Sequence, residues 1–234
     1  MSPFVSELIG TAMLILIGNG VVANVVLQKT KGHQSGWIVI TIGWAMAVFI
    51  GVYISGAASG AHLNPAVTIA LAVQNNNWQQ VPIYIAAQLI GAMVGALLVW
   101  VSYHQHFSAT SNAGEKLAVF CTVPAIQQPI HNFIGELVAT FALMFSILCL
   151  TKSTVQLGSI DALPVAFIVL AIGLGLGGNT GYAINPARDL GPRIMHYLLP
   201  IKNKGNSNWA YSWIPVVAPI TGAIIAVLVY KCIH

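Results

Sequence analysis

The chain has 234 residues, of which 6% are charged and 57% are hydrophobic. Because an ordinary soluble domain carries roughly 25% charged residues, this composition excludes a soluble protein and indicates one embedded in a lipid bilayer. The nine basic and five acidic residues are scattered along the chain, so the formal net charge of +4 indicates no nucleic-acid partner.

Six apolar segments are close to the ~20 residues that one bilayer crossing requires, which predicts an all-α membrane protein. In chain order the predicted spans are Glu7–Leu27, Trp37–Ser55, Val81–Val101, Asn132–Leu150, Leu163–Gly178 and Tyr211–Tyr230. The fifth is short and rich in glycine. We expect one domain over residues 1–234, with a polar connection between the third and fourth spans.

Two further apolar segments, Asn64–Val73 and Asn185–Leu199, are too short to cross a bilayer. Each opens on the same tripeptide, as Asn64-Pro65-Ala66 and Asn185-Pro186-Ala187. Asparagine is a favoured N-cap and proline fits the first helical position, so each tripeptide predicts a helix start. Taken singly, each segment fits a helix on the membrane surface as well as a re-entrant half-helix.

The order of motifs repeats along the chain, which favours the re-entrant alternative. Glu7 with Thr11 recurs as Glu136 with Thr140, at nearly the same offset as the two Asn-Pro-Ala copies. The repeats cover about residues 4–105 and 130–234, and three spans in each would invert the second repeat relative to the first. The two half-helices would then enter from opposite faces and meet near the bilayer midplane, as in inverted-repeat transporters.

The chain resembles the major intrinsic protein family, the aquaporins and aquaglyceroporins. The residues that carry the resemblance are Ser59–Thr68 (SGAHLNPAVT) and Gly181–Pro192 (GYAINPARDLGP), and the repeat extends it over essentially the whole chain. The resemblance implies six transmembrane helices and two re-entrant half-helices. The aquaglyceroporin branch is the closer match, because Asp189 follows the second Asn-Pro-Ala-Arg and Pro215 precedes a non-aromatic residue.

Position matching to the family implies a selectivity filter of Trp44, Gly173, Tyr182 and Arg188. Gly173 stands where water-selective members usually carry histidine, and it would leave room for a wider solute. Trp44 and Tyr182 would contact the CH face of a polyol, while Arg188 would donate hydrogen bonds to its hydroxyls. Tyr182 replaces the phenylalanine often found in glycerol facilitators, so we expect its hydroxyl to affect the ratio of glycerol to water flux.

The resemblance also implies a line of polar groups along the pore. Asn64 and Asn185 would present amide donors at its midpoint. The positive ends of the two half-helices, together with Arg188, would repel cations and hinder proton transfer. Backbone carbonyls would serve as acceptors on either side, from Gly60, Ala61, His62, Gly181, Tyr182 and Ala183.

Buried ionisable groups admit two interpretations. Glu7 and Glu136 lie in apolar spans, where carboxylates are costly and usually functional, so they could relay protons. Their symmetric placement instead favours a structural role, in which each accepts hydrogen bonds from a re-entrant loop. His62 could be a pH gate or a hydrogen-bonded support beside the pore. Asp189 and Arg193 are one helical turn apart, which predicts an ion pair.

The sequence therefore predicts a passive channel for glycerol and other small neutral solutes, with water, that excludes ions and protons. The alternatives are a water-selective channel and a proton-coupled carrier using Glu7, Glu136 and His62. An intramembrane enzyme is disfavoured, since no nucleophile motif or metal spacing is found; no metal or cofactor is expected.

The family implies a homotetramer in the cell membrane with both chain termini in the cytoplasm. Counting basic residues gives the opposite orientation, because that topology leaves only Lys152 and Lys231 on the cytoplasmic side. We prefer the family's orientation, because the charges are few and Arg188 and Arg193 have expected duties in the pore.

Overall fold

The computed structural model describes residues 1–150 and 158–234, and these residues form helices and connecting loops without a β-strand. A short 3-10 helix, Gly158–Ala162, precedes the eighth α-helix. The α-helices are α1 Pro3–Val26, α2 Trp37–Ser59, α3 Pro65–Asn75, α4 Val81–Ser102, α5 His104–Ala109, α6 Ala113–Phe120, α7 Pro129–Cys149, α8 Leu163–Leu176, α9 Pro186–Leu198 and α10 Ile214–Ile233.

The six predicted spans are confirmed as helical segments long and apolar enough to cross a membrane, the fifth as Gly158–Leu176, which includes the 3-10 helix. Their bounds differ by a few residues from the predicted ones, at the starts and at the ends alike. The first span begins at Pro3 rather than Glu7, with Ser2 as its N-cap, and the sixth begins at Ile214 rather than Tyr211. A proline at the first or second position lacks only an N–H that has no helical partner there, so these starts are compatible with helix geometry.

The connection from Tyr103 to Gln128 is more ordered than its polar sequence indicates, because it contains α5 and α6. Asn112 caps α6 by accepting from the backbone N–H of Gly114 at 2.8 Å. The buried Lys116 ammonium donates to the Lys202 carbonyl at 2.6 Å. Desolvation and the nearby positive charge of Lys202 both lower the pKa of Lys116. These contacts hold the connection against the segment that follows α9.

Small residues bring the spans into close contact in an equivalent way in both halves. A side chain at Gly91 of α4 would collide with the Leu8 carbonyl of α1. Correspondingly, a side chain at Gly222 of α10 would collide with the Leu137 carbonyl of α7. Such approach of one backbone to another is typical of small residues at membrane helix interfaces. The α1–α4 and α7–α10 pairs are therefore built by the same rule.

The half-helices α3 and α9 each pack against a span of the other half. Helix α3 contacts α10, and α9 contacts α4. Each half therefore has the order span, span, half-helix, span, and the two halves interlock. The Lys231 ammonium near the end of α10 donates to the Val73 carbonyl near the end of α3 at 2.9 Å, which places these two helix ends on one side.

Candidate functional site

The two half-helices meet at their N-termini through a reciprocal pair of hydrogen bonds. The Asn64 amide donates to the Ile184 carbonyl at 2.8 Å, and the Asn185 amide donates to the Leu63 carbonyl at 2.8 Å. Each asparagine oxygen also caps its own helix, accepting from Ala66 N–H at 2.9 Å in α3 and from the equivalent N–H in α9. An amide nitrogen carries two hydrogens, so each asparagine has a second N–H that this bond does not use.

The backbone before each half-helix has an unusual conformation at equivalent positions. Residues with a side chain rarely adopt positive φ, so such a conformation needs support from its surroundings. The residues with positive φ in these two loops are Gly60 (80°), Ala61 (52°), Leu63 (51°), Gly181 (84°), Tyr182 (38°) and Ile184 (43°).

Glu7 supplies that support in the first loop. Its fully buried carboxylate accepts from the N–H of His62 at 2.9 Å and from the N–H of Leu63 at 2.7 Å. It also accepts from the Ser59 hydroxyl at 2.6 Å and from the Gln88 amide at 2.8 Å. A carboxylate with this many donors is stabilised as a loop anchor, and both of its oxygens are already engaged.

Glu136 makes the equivalent contacts in the second loop. It accepts from the N–H of Ala183 at 2.9 Å and from the N–H of Ile184 at 2.9 Å, and it is fully buried. The bonds expected from the symmetric placement of the two glutamates are therefore present. His62 is likewise hydrogen-bonded, with its Nδ1 3.2 Å from the Thr68 hydroxyl. These geometries favour structural support over a proton relay.

A cavity of about 170 Å³ passes the point where the half-helices meet. Its lining includes Arg188, both asparagines and the loop residues Gly60, Ala61, His62 and Ala183. Trp44 and Tyr182 also line it, whereas Gly173 and Gly181 of the predicted set are absent from the described lining residues. The remaining lining residues are aliphatic: Leu14, Val48, Val52, Leu63, Val67, Leu71, Leu143, Ile147, Val165, Val169 and Ile184.

Arg188 and Trp44 form one face of this cavity. The guanidinium carbon of Arg188 lies 4.1 Å from the centroid of the Trp44 ring, a cation–π contact. The Trp44 ring rests on Gly18 of α1, where any side chain would overlap it. Gly18 was not identified from the sequence, since a glycine within a span has many structural explanations. It allows the tryptophan to lie deep enough to stack on the arginine.

Asp189 and Arg193 form the predicted ion pair, and both are fully buried. The two nitrogens that face the carboxylate lie at 2.7 and 3.0 Å from its oxygens. Thr122 completes the group, because its backbone N–H and its hydroxyl donate to Asp189 at 2.8 and 2.7 Å. Arg193 also donates to the Ser207 carbonyl at 2.7 Å. Thr122 and Ser207 lie far away in sequence, so no sequence motif identifies them.

The space beside Gly173 differs from the expectation. A β-carbon there would lie 3.0 Å from Cζ of Tyr182 and 3.1 Å from its hydroxyl oxygen. The room that glycine leaves is therefore taken by the tyrosine ring. The Tyr182 hydroxyl is buried and has no hydrogen-bond partner among the described residues.

Tyr182→Phe is expected to leave the ratio of glycerol to water permeability nearly unchanged, because the hydroxyl that it removes is buried and does not face the cavity. Stopped-flow light scattering on proteoliposomes measures both permeabilities in one preparation. Phe133→Leu, at a residue that is not among those lining the cavity, is the control. A ratio that changes severalfold would mean that solutes do meet the hydroxyl.

Comparisons with known proteins agree with this geometry. Residues 1–230 match the family model described as major intrinsic protein. The chain is 53% identical to the glycerol uptake facilitator protein of Streptococcus pneumoniae (strain ATCC BAA-255 / R6), with 99% of each chain covered. It is 50% identical to the probable glycerol uptake facilitator protein of Thermotoga maritima, again with 99% of each chain covered.

A solved structure extends the agreement to the fold. The X-ray structure of the aquaglyceroporin from Plasmodium falciparum superimposes with a TM-score of 0.85 at 34% identity, covering 97% of this chain and 94% of that one. The chain therefore belongs to the major intrinsic protein family.

Proposed function

We propose that this protein is a passive channel for glycerol and other small uncharged solutes, with water. The observation that carries the proposal is the mixed lining of the cavity, which combines Arg188 and two asparagines with many aliphatic side chains. A linear polyol has hydroxyls along one edge and CH groups along the other, so both of its faces find matching groups. The names of the relatives, glycerol uptake facilitators, support the same substrate class.

Exclusion of ions and protons follows from the charges around the cavity. The N-termini of α3 and α9 each contribute about half a positive charge, and Arg188 adds a full one. This positive potential repels cations. Proton transfer along a chain of waters is interrupted where the Asn64 and Asn185 amides donate hydrogen bonds to a water. Nothing in this scheme uses an ion gradient or a nucleophile, so we propose a facilitator without catalytic activity.

We further propose a homotetramer in the cell membrane, with both termini in the cytoplasm. The contact between Lys231 and Val73 places the end of α3 on the side of the C-terminus, so the first half-helix would enter from the cytoplasm. Lys152, one of the two basic residues expected there, lies outside the described residues. A reporter fused at the C-terminus tests the orientation, and a periplasmic or extracellular signal would contradict it.

The proposed function is tested by stopped-flow light scattering on proteoliposomes under water and glycerol gradients. We expect rapid water flux together with fast re-swelling in glycerol, linear in glycerol concentration and unaffected by a protonophore. Empty liposomes and vesicles with an Arg188→Leu variant are the controls. A flux that follows the proton gradient would support the coupled carrier instead.

A water-selective channel is the second candidate, because Tyr182 occupies the space beside Gly173. Fast water flux without glycerol entry in the same experiment would establish it. The names of relatives that are 53% and 50% identical to this chain, glycerol uptake facilitators, favour the wider substrate class.

A further inference from the structure

The position of Tyr182 depends on three residues behind its ring. Trp37, at the first position of α2, meets the ring edge-on with centroids 5.7 Å apart and planes at 80°. The Trp37 indole N–H donates to the Gly173 carbonyl at 3.0 Å, which ties α2 to α8 at this point. Gly177 directly follows α8. We refer to Trp37, Gly173 and Gly177 as the backing group of Tyr182.

Gly177 leaves no free space behind the ring. A β-carbon at Gly177 would overlap Cδ1 of Tyr182, and it would lie 2.6 Å from the Gly173 carbonyl oxygen and 2.9 Å from Cζ2 of Trp37. Real β-carbons essentially never approach atoms so closely, so one of the two rings or the end of α8 would have to move. The Tyr182 ring also packs against Trp37 and Gly173, and it lines the cavity. The cavity is open space into which the ring can be displaced.

We infer that Gly177 and Trp37, which lie outside the four predicted filter residues, set how far Tyr182 is withdrawn from the pore and thereby the largest solute that passes. The inference rests on the proposed function. Both are positioning residues, since neither lines the cavity. Their effects have opposite signs: bulk added at Gly177 pushes the ring into the path, whereas bulk removed at Trp37 lets it retreat.

Gly177→Ala is expected to lower the ratio of glycerol to water permeability about tenfold, the effect of one methyl group in a fitted site. Gly175→Ala is the matched control, because nothing lies within 4 Å of a β-carbon at Gly175, which lies two residues earlier in the last turn of α8. Both permeabilities are measured in one proteoliposome preparation, so the ratio does not depend on the amount of protein inserted. An unchanged ratio in Gly177→Ala would overturn the inference.

Trp37→Ala provides a test in the opposite direction, and it decides the question if Gly177→Ala fails to insert. We expect the flux of ribitol, a longer polyol, to rise about tenfold relative to glycerol. The double variant Gly177→Ala/Trp37→Ala should return toward the wild-type glycerol ratio, since the ring can move into the space left by the indole. A Trp37→Ala variant with unchanged ribitol flux would contradict the inference.

The wild-type measurement separates the two proposals. If the wild type passes water but not glycerol, the proposed function fails. The inference then depends on whether Trp37→Ala admits glycerol: admission supports it, and continued exclusion overturns it.

Discussion

Asp189→Ala is expected to destabilise the folded protein by about 3–5 kcal/mol, the usual cost of removing one partner of a buried ion pair. The substitution leaves the fully buried Arg193 without its counter-charge and leaves the Thr122 N–H without its acceptor. Thermal unfolding of the purified protein in detergent, followed by the loss of monodisperse protein, measures the effect as a lower midpoint temperature.

The double variant Asp189→Ala/Arg193→Leu is the control for this prediction. Removing both charges abolishes the unpaired cation, so the double variant should be more stable than Asp189→Ala alone, even though it loses one more side chain. Equal or lower stability of the double variant would show that the ion pair itself is not the source of the loss. Glycerol flux through the surviving protein would then report on the position of α9.

The spans and helix starts could be predicted because their causes are local. A run of apolar residues dictates a span, and Asn-Pro is a helix start wherever it lies, which the caps at Asn64 and Asn185 confirm. The ion pair of Asp189 with Arg193 follows from their spacing on one helix. Helices α5 and α6 were not predicted, because they are short and depend on buried contacts such as that between Phe107 and Phe120.

The other contacts of the site could not be predicted, since they join distant parts of the chain. Thr122 meets Asp189 across 67 positions, and Trp37 meets Gly173 across 136. No local pattern of charge or hydropathy encodes such pairings. The expectation at Gly173 was incomplete for the same reason: a missing side chain indicates room, but only the tertiary structure shows which neighbour fills it. Here the neighbour is Tyr182.

Arg188→Leu is expected to slow glycerol flux about 10- to 100-fold, because each hydrogen bond from a charged donor contributes about 1.5–3 kcal/mol. Glycerol that sheds water to enter the cavity would no longer recover those bonds at this point. Water flux should fall much less, because a water molecule is smaller and stays hydrogen-bonded to the other waters of the single file. The ratio of the two permeabilities in one proteoliposome preparation measures the change, with Lys31→Leu as a control that also removes one positive charge.

The same substitution should also let cations or protons through, since Arg188 is the one Arg or Lys among the described residues that line the cavity. Arg188→Lys separates this effect from hydrogen bonding. Lysine keeps the charge but loses the planar set of donors and the stacking of the guanidinium on Trp44, so it should slow glycerol flux while still excluding protons.

Proton leak is measured with an internal pH-sensitive dye after an acid step. If Arg188→Lys leaks as much as Arg188→Leu, exclusion depends on the shape of the guanidinium rather than on its charge, and the electrostatic account of selectivity is wrong.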